Sequence, residues 1–151
     1  MINTISNFDG EYRFLSNFYN SPIIYNGVTF PTVEHFFQAM KTLNPAKIIE
    51  IKDAPTPGKA KRLGRNIVLR PDWEQVKVSI MKTALRLKFD NTELREKLLA
   101  TGDSYLIEGN TWHDNFWGSC NCKRCENHGR NMLGQLLMEV REEISKDVWI
   151  D

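Results

Sequence analysis

The stretch from Asp72 to Leu87 constrains the fold most. Apolar Trp73, Val76, Ile80, Ala84 and Leu87 recur at steps of three and four, the spacing that lines one face of an α-helix. A strand alternates its faces every second residue and would scatter this set. The segment therefore predicts a long amphipathic helix whose apolar face must be covered. Met132, Leu133, Leu136, Leu137, Val140 and Ile144 write a second such face. Shorter helices announce themselves by their ends. Thr32 can cap a helix through Lys41, Asn44-Pro45 starts another, Thr56-Pro57 a third that Gly64 would end, and Thr92 to Ala100 a fourth closed by Gly102.

Extended segments are few. Glu11 to Leu15 reads as extended, and Tyr105 to Glu108 as a short strand. Ile23–Tyr25 and Val28–Phe30 flank an Asn26-Gly27 pair, whose tolerance of positive φ makes it a hairpin turn signal. The expected class is α+β, mainly α, with a small antiparallel β element, in a single domain over residues 1–151.

The charge balance excludes some classes of function. Twenty basic against 19 acidic residues leave a net charge of +1, with 41% hydrophobic residues. That is an ordinary globular balance, not a nucleic-acid coat, so a charged ligand must be gripped locally. The start Met1-Ile2-Asn3-Thr4-Ile5 lacks a basic, then apolar, signal pattern, and no run of about 18 apolar residues exists. A cytoplasmic location without membrane contact is expected. The three cysteines fall within six positions, an odd number that argues for free thiols or metal ligands over a disulfide framework.

Several groups could carry chemistry. Glu34, Gln38 and Lys41 fall at i, i+4 and i+7, one stripe of a helix that is otherwise apolar. A carboxylate and an amine held partly dry suit acid/base and nucleophilic roles, although a solvated stripe has the same spacing. Asp114, set between aromatic residues in Trp112-His113-Asp114-Asn115-Phe116-Trp117-Gly118, is a second carboxylate or a turn former. Paired carboxyl groups are the usual apparatus for breaking a glycosidic bond. Lys59, Lys61, Arg62 and Arg65 beside a helix start would suit a phosphate or diphosphate, or form a solvated face. Cys120, Cys122, Cys125 and His128 have the look of a compact zinc knuckle, with reduced structural thiols as the other reading. His35 and His113 read as pocket-wall or core histidines.

In this order and spacing, a set of strings resembles the YbiA/NADAR family. They are Leu15-Ser16-Asn17-Phe18, Val33-Glu34-His35 with Gln38-Ala39 and Lys41, Lys61 to Arg65, Met81 with Lys88-Phe89, Thr101-Gly102-Asp103, Glu108 through Gly118, and Gly129 to Gly134 with Leu137-Met138 and Arg141. The resemblance covers about residues 8 to 145. It implies a mainly helical YbiA-like fold and an N-glycosidase acting on phosphorylated or ADP-ribosylated ribosides. Two substrate classes follow: ADP-ribosylated guanine in nucleotides or nucleic acid, and phosphoribosyl intermediates of early riboflavin synthesis. By the same resemblance Glu34, Lys41 and Asp114 are the catalytic set, Lys41 as an amine able to trap an opened ribose. Asn17, Phe18, His35, Gln38, Arg62, Arg65, Trp112, Trp117, Gly118 and Asn131 would bind substrate. No cofactor is expected. A non-catalytic ADP-ribose or nucleotide sensor and a zinc-loop interaction module remain alternatives.

Overall fold

A computed structural model describes residues 3–146. In chain order the elements are β1 (Thr4–Ile5), a 3-10 helix (Gly10–Leu15), β2 (Ile23–Tyr25), β3 (Val28–Phe30), α1 (Val33–Ala39), α2 (Pro45–Lys52), α3 (Pro57–Arg65), α4 (Trp73–Lys88), α5 (Thr92–Ala100), β4 (Tyr105–Leu106), β5 (Gly109–Asn110), β6 (Ser119–Cys120) and α6 (Met132–Ser145). The α+β, mainly α expectation holds. No described helix is long and apolar enough to cross a membrane. The chain divides into two compact units, one of residues 17–88 and one joining the residues up to Ser16 to those from Phe89 onward.

The 17–88 unit is organised around α1. Its entry is the hairpin β2–β3, registered Ile23 to Phe30 and Tyr25 to Val28. Asn26 (φ 51°) and Gly27 (φ 78°) make the turn with two consecutive positive φ angles, which matches the strand twist. Thr32 then caps α1, its Oγ1 accepting from the His35 N–H at 3.1 Å. All seven α1 residues are buried, since α2, α3 and α4 all pack on this one helix. Phe36 meets Phe30 and Tyr25 edge to face at 5.3 and 5.1 Å, and Phe37 meets Trp73 at 5.1 Å. Each such ring contributes roughly 1.5–3 kcal/mol by leaving water.

Two expectations for this unit need correcting. The covered stripe of α4 is Trp73, Met81, Ala84, Leu85 and Lys88, whereas Val76, Ile80 and Leu87 are half-buried. The face is rotated because Lys88 is taken inside, 1% exposed with its Nζ 5.7 Å from the Tyr19 ring. Burial there pulls its ammonium down to about 7. Gly64 does not stop α3. It lies within the helix, where a Cβ would fall 1.9 Å from Gln38 Oε1 and 2.8 Å from Gln38 Cδ. Its missing side chain lets α3 sit directly on Gln38.

In the other unit, Glu11 to Leu15 is not extended but forms the 3-10 helix. Phe14 is buried edge-on to Phe89 at 6.5 Å, and Leu15 is fully buried, so packing decides the local conformation. β1 pairs in parallel with β4, Thr4 to Tyr105 and Ile5 to Leu106. α6 packs on β4 and α5. Asn131, with φ 52° just ahead of α6, donates from Nδ2 to the Leu106 carbonyl at 2.8 Å and accepts on Oδ1 from the Glu108 N–H at 2.9 Å.

Candidate functional site

Within the 17–88 unit the expected residues converge. Glu34 is 7% exposed in the first turn of α1. Its Oε2 accepts from Gln38 Nε2 at 2.7 Å, one helical turn on, and its N–H donates to the Asn17 carbonyl at 3.1 Å. Lys41 is not on the helix stripe. α1 ends at Ala39, and Lys41 follows in a turn, its N–H donating to the Gln38 carbonyl. The ammonium nonetheless interacts electrostatically with Glu34, Lys61, Arg65 and Lys77. Desolvation is the largest influence on it and lowers its pKa; Glu34 opposes that change, and the three cations add to it.

Lys41 thus feels one carboxylate from α1 and three cations from α3 and α4, of which Lys77 also pairs with Glu74 at 2.7 Å. Lys77 went unnoticed in the sequence because nothing in its neighbourhood on α4 distinguishes it from a surface lysine. Arg62 and Lys59 are exposed on α3 but do not enter that group. Phe18 is 37% exposed, with Lys61 Nζ 6.0 Å from its ring.

Two buried acceptors here lack a hydrogen bond among the described residues, Gln38 Oε1 and Asn17 Oδ1. An unmet buried polar atom costs about 1–3 kcal/mol. Both belong to residues bonded to Glu34, Gln38 through its side chain and Asn17 through its backbone carbonyl. Gly64→Ala is expected to push Gln38 off the carboxylate and to cost about 1–3 kcal/mol of stability. A thermal melt and an activity assay would check this; unchanged values in both would mean that the α1–α3 approach is dispensable.

His35 is the core histidine that one reading of its residues expected, not the substrate-binding group that the resemblance implied. It is 1% exposed, with Nδ1 2.8 Å from Thr32 Oγ1 and Nε2 2.9 Å from the Ala54 carbonyl. Both ring nitrogens are engaged by the protein, so the residue ties α1 to the segment after α2 and does not face a ligand. Asn131 is corrected likewise, since both ends of its amide are bonded to backbone.

In the other unit the loop 110–118 is a dense turn. Asp114 Oδ1 accepts from the Phe116 and Trp117 N–H groups at 3.2 and 2.9 Å, the turn-forming use of an Asp. Asn110, 3% exposed and overlooked in the sequence, is its hub. Its Oδ1 accepts from the Trp112 and Asp114 N–H groups, and its Nδ2 donates to the Asp114 carbonyl and to Glu108 Oε2. Gly118 is required by space, because a Cβ there would lie 1.8 Å from Glu108 Oε2 and 2.2 Å from the Glu108 carbonyl. Trp117 packs on Phe116 at 4.8 Å, while Trp112 stays 58% exposed. Cys120, Cys122 and Cys125 lie together, but with His113 and not with His128.

Residues 5–145 match the NADAR domain family, one match that spans both units. An N-glycosidase YbiA of Shigella flexneri is 43% identical over 151 residues, covering 96% of this chain and 91% of that one. A riboflavin biosynthesis protein of Vibrio vulnificus is 39% identical over 144 residues, 91% of this chain but 37% of its own. The NMR structure of Escherichia coli YbiA superposes with a TM-score of 0.84 at 40% identity, covering all of this chain and 90% of that one. The chain belongs to the NADAR domain family.

Proposed function

We propose that this protein is a hydrolase of N-glycosyl bonds acting on a phosphorylated or ADP-ribosylated riboside, with ADP-ribosylated guanine as its substrate. The observation that carries the reading is the buried Glu34 carboxylate and the desolvated Lys41 amine, which interacts electrostatically with it and with Lys61, Arg65 and Lys77. Such a cation set suits the phosphates of the ligand, and the carboxylate suits the positive charge that develops at the anomeric carbon. The unmatched Asn17 and Gln38 acceptors supply places for ribose hydroxyls to donate. Relatives named as N-glycosidases support the same bond class.

In the proposed sequence Glu34 stays ionised and lowers the barrier to an oxocarbenium-like state. The departing base takes up a proton as the ribose–base bond breaks. The Lys41 amine, its pKa lowered chiefly by desolvation, gives up a proton as it forms a C1–N bond; ring opening then gives an imine that water hydrolyses, releasing the sugar and restoring the amine. Within their own units, Asp114 fixes the Trp112–Trp117 turn and His35 and Asn131 hold backbone. Arg62 is assigned to the outer phosphate contacts with Arg65.

The test uses an ADP-ribosylated guanine oligonucleotide and, separately, phosphorylated riboside intermediates of riboflavin formation, with products read by mass spectrometry. Release of free ADP-ribose from the first is expected. Cleavage of the second alone would replace the guanine reading with the one favoured by the Vibrio relative's name, and cleavage of neither would remove the enzyme reading. Borohydride added during turnover should fix a sugar adduct on the native chain and none on Lys41→Arg, whose turnover should drop ~100-fold. Full activity in Lys41→Arg would discard the imine route.

A further inference from the structure

Around His113 the structure presents an arrangement that hydrogen bonding does not explain. Nδ1 of that ring lies 3.4 Å from Cys125 Sγ and 3.6 Å from both Cys120 Sγ and Cys122 Sγ. A single ring N–H can be directed at one sulfur, not at three. All four ligand atoms lie within 4.8 Å of one another. Zinc bonds of about 2.3 Å to sulfur and 2.0–2.1 Å to nitrogen, in a tetrahedron, place nitrogen about 3.6 Å from each sulfur. The three distances fit that edge.

We propose that His113, Cys120, Cys122 and Cys125 form a structural zinc site. Two chain segments supply it, the 110–118 loop and β6 with the turn that follows it, so it is not a one-loop knuckle. His113 adopts φ 68°, a left-handed conformation uncommon for a residue other than glycine. The surrounding donors suit sulfur in its thiolate form. Asn115 Nδ2 donates to Cys125 Sγ at 3.2 Å, and the Cys125 N–H donates to Cys122 Sγ at 3.4 Å. Asn115 also receives the Cys120 N–H on Oδ1 at 2.9 Å, so one side chain braces two of the ligands. Backbone bonds from Asn127 to the Cys120 carbonyl and from Glu126 to the Cys122 carbonyl fold the turn. His128 is outside the cluster.

Because protein atoms fill all four positions, the ion has no open position for water and acts as a staple. His113 lies between Trp112 and Asp114, so zinc ties the aromatic loop to the cysteine turn. This inference is independent of the glycosidase reading.

The test is metal content of the full-length protein purified with added zinc and then desalted, followed by exchange of zinc for cobalt. One zinc per chain is expected, and the cobalt form should show the visible bands of a tetrahedral site with thiolate charge transfer. His113→Ala and Cys122→Ser should weaken zinc binding beyond the roughly 10–100-fold typical of losing an outer partner, while His128→Ala keeps full occupancy. Absence of zinc from the native protein, or an octahedral cobalt spectrum, would overturn the proposal even if the variants failed to fold. Zinc retained in His113→Ala but lost in His128→Ala would overturn this ligand set.

Discussion

Glu34→Gln is expected to lower kcat/KM by about 1,000-fold while the protein stays folded. The side chains have nearly the same shape, and the glutamine carbonyl can still accept from Gln38 Nε2, which now bonds Glu34 Oε2 at 2.7 Å. What disappears is the negative charge. In water that charge would be weakly felt, but at 7% exposure it acts through a medium that screens little. The loss should therefore fall on kcat, because the charge is matched to a cation present only near the transition state. Stability should shift by less than about 1 kcal/mol, the scale of one neutral hydrogen bond. Steady-state kinetics with a parallel thermal melt separate the two effects. A fall confined to KM would recast Glu34 as a binding group.

Gly134→Ala is expected to be the most damaging small substitution. In the interior of α6 an alanine would ordinarily gain about 1 kcal/mol over glycine. Here its Cβ would fall 2.1 Å from the Leu106 carbonyl oxygen and 2.4 Å from Asn131 Nδ2. That carbonyl is backbone, in a residue paired with β1 and bonded by Asn131, so nothing flexible can give way. Overpacking should win by about 3 kcal/mol or more, lowering Tm by roughly 6–12 °C for a chain of this size. Gly58→Ala in α3 is the matched control, since its Cβ would meet only Thr56 Oγ1 at 3.9 Å. Equal melting temperatures for the two variants would refute the close-approach argument.

What the sequence made legible is local and repetitive. The Asn26-Gly27 turn, the Thr32, Asn44-Pro45 and Thr56-Pro57 helix starts and the α4 and α6 helices all rest on chemistry within a few residues, and all appear in the structure, although the covered face of α4 is rotated from the expected one. The failures share a cause in contacts from far along the chain. Glu11 to Leu15 has an extended composition, yet its contact with Phe89 makes it helical. Gly64 looks like a stop signal until Gln38 lies against it. The cysteine turn suggested its nearest histidine, His128, while the fold supplies His113 from the preceding loop. For the candidate site, the Glu34–Gln38 spacing was readable, but Lys77 and Asn110 were not, because their significance comes from neighbours on other segments.

The pairing of β1 with β4 joins residues about a hundred positions apart in a chain made from one end. The 17–88 unit is continuous in sequence, so its internal contacts need no residue beyond Lys88. Thr4 and Ile5 have no strand partner until Tyr105 and Leu106 exist, and α6 comes later still. The first residues to be made thus depend for their strand pairing on residues made about a hundred positions later. Closing so long a loop costs little more than closing a shorter one once the intervening unit is compact.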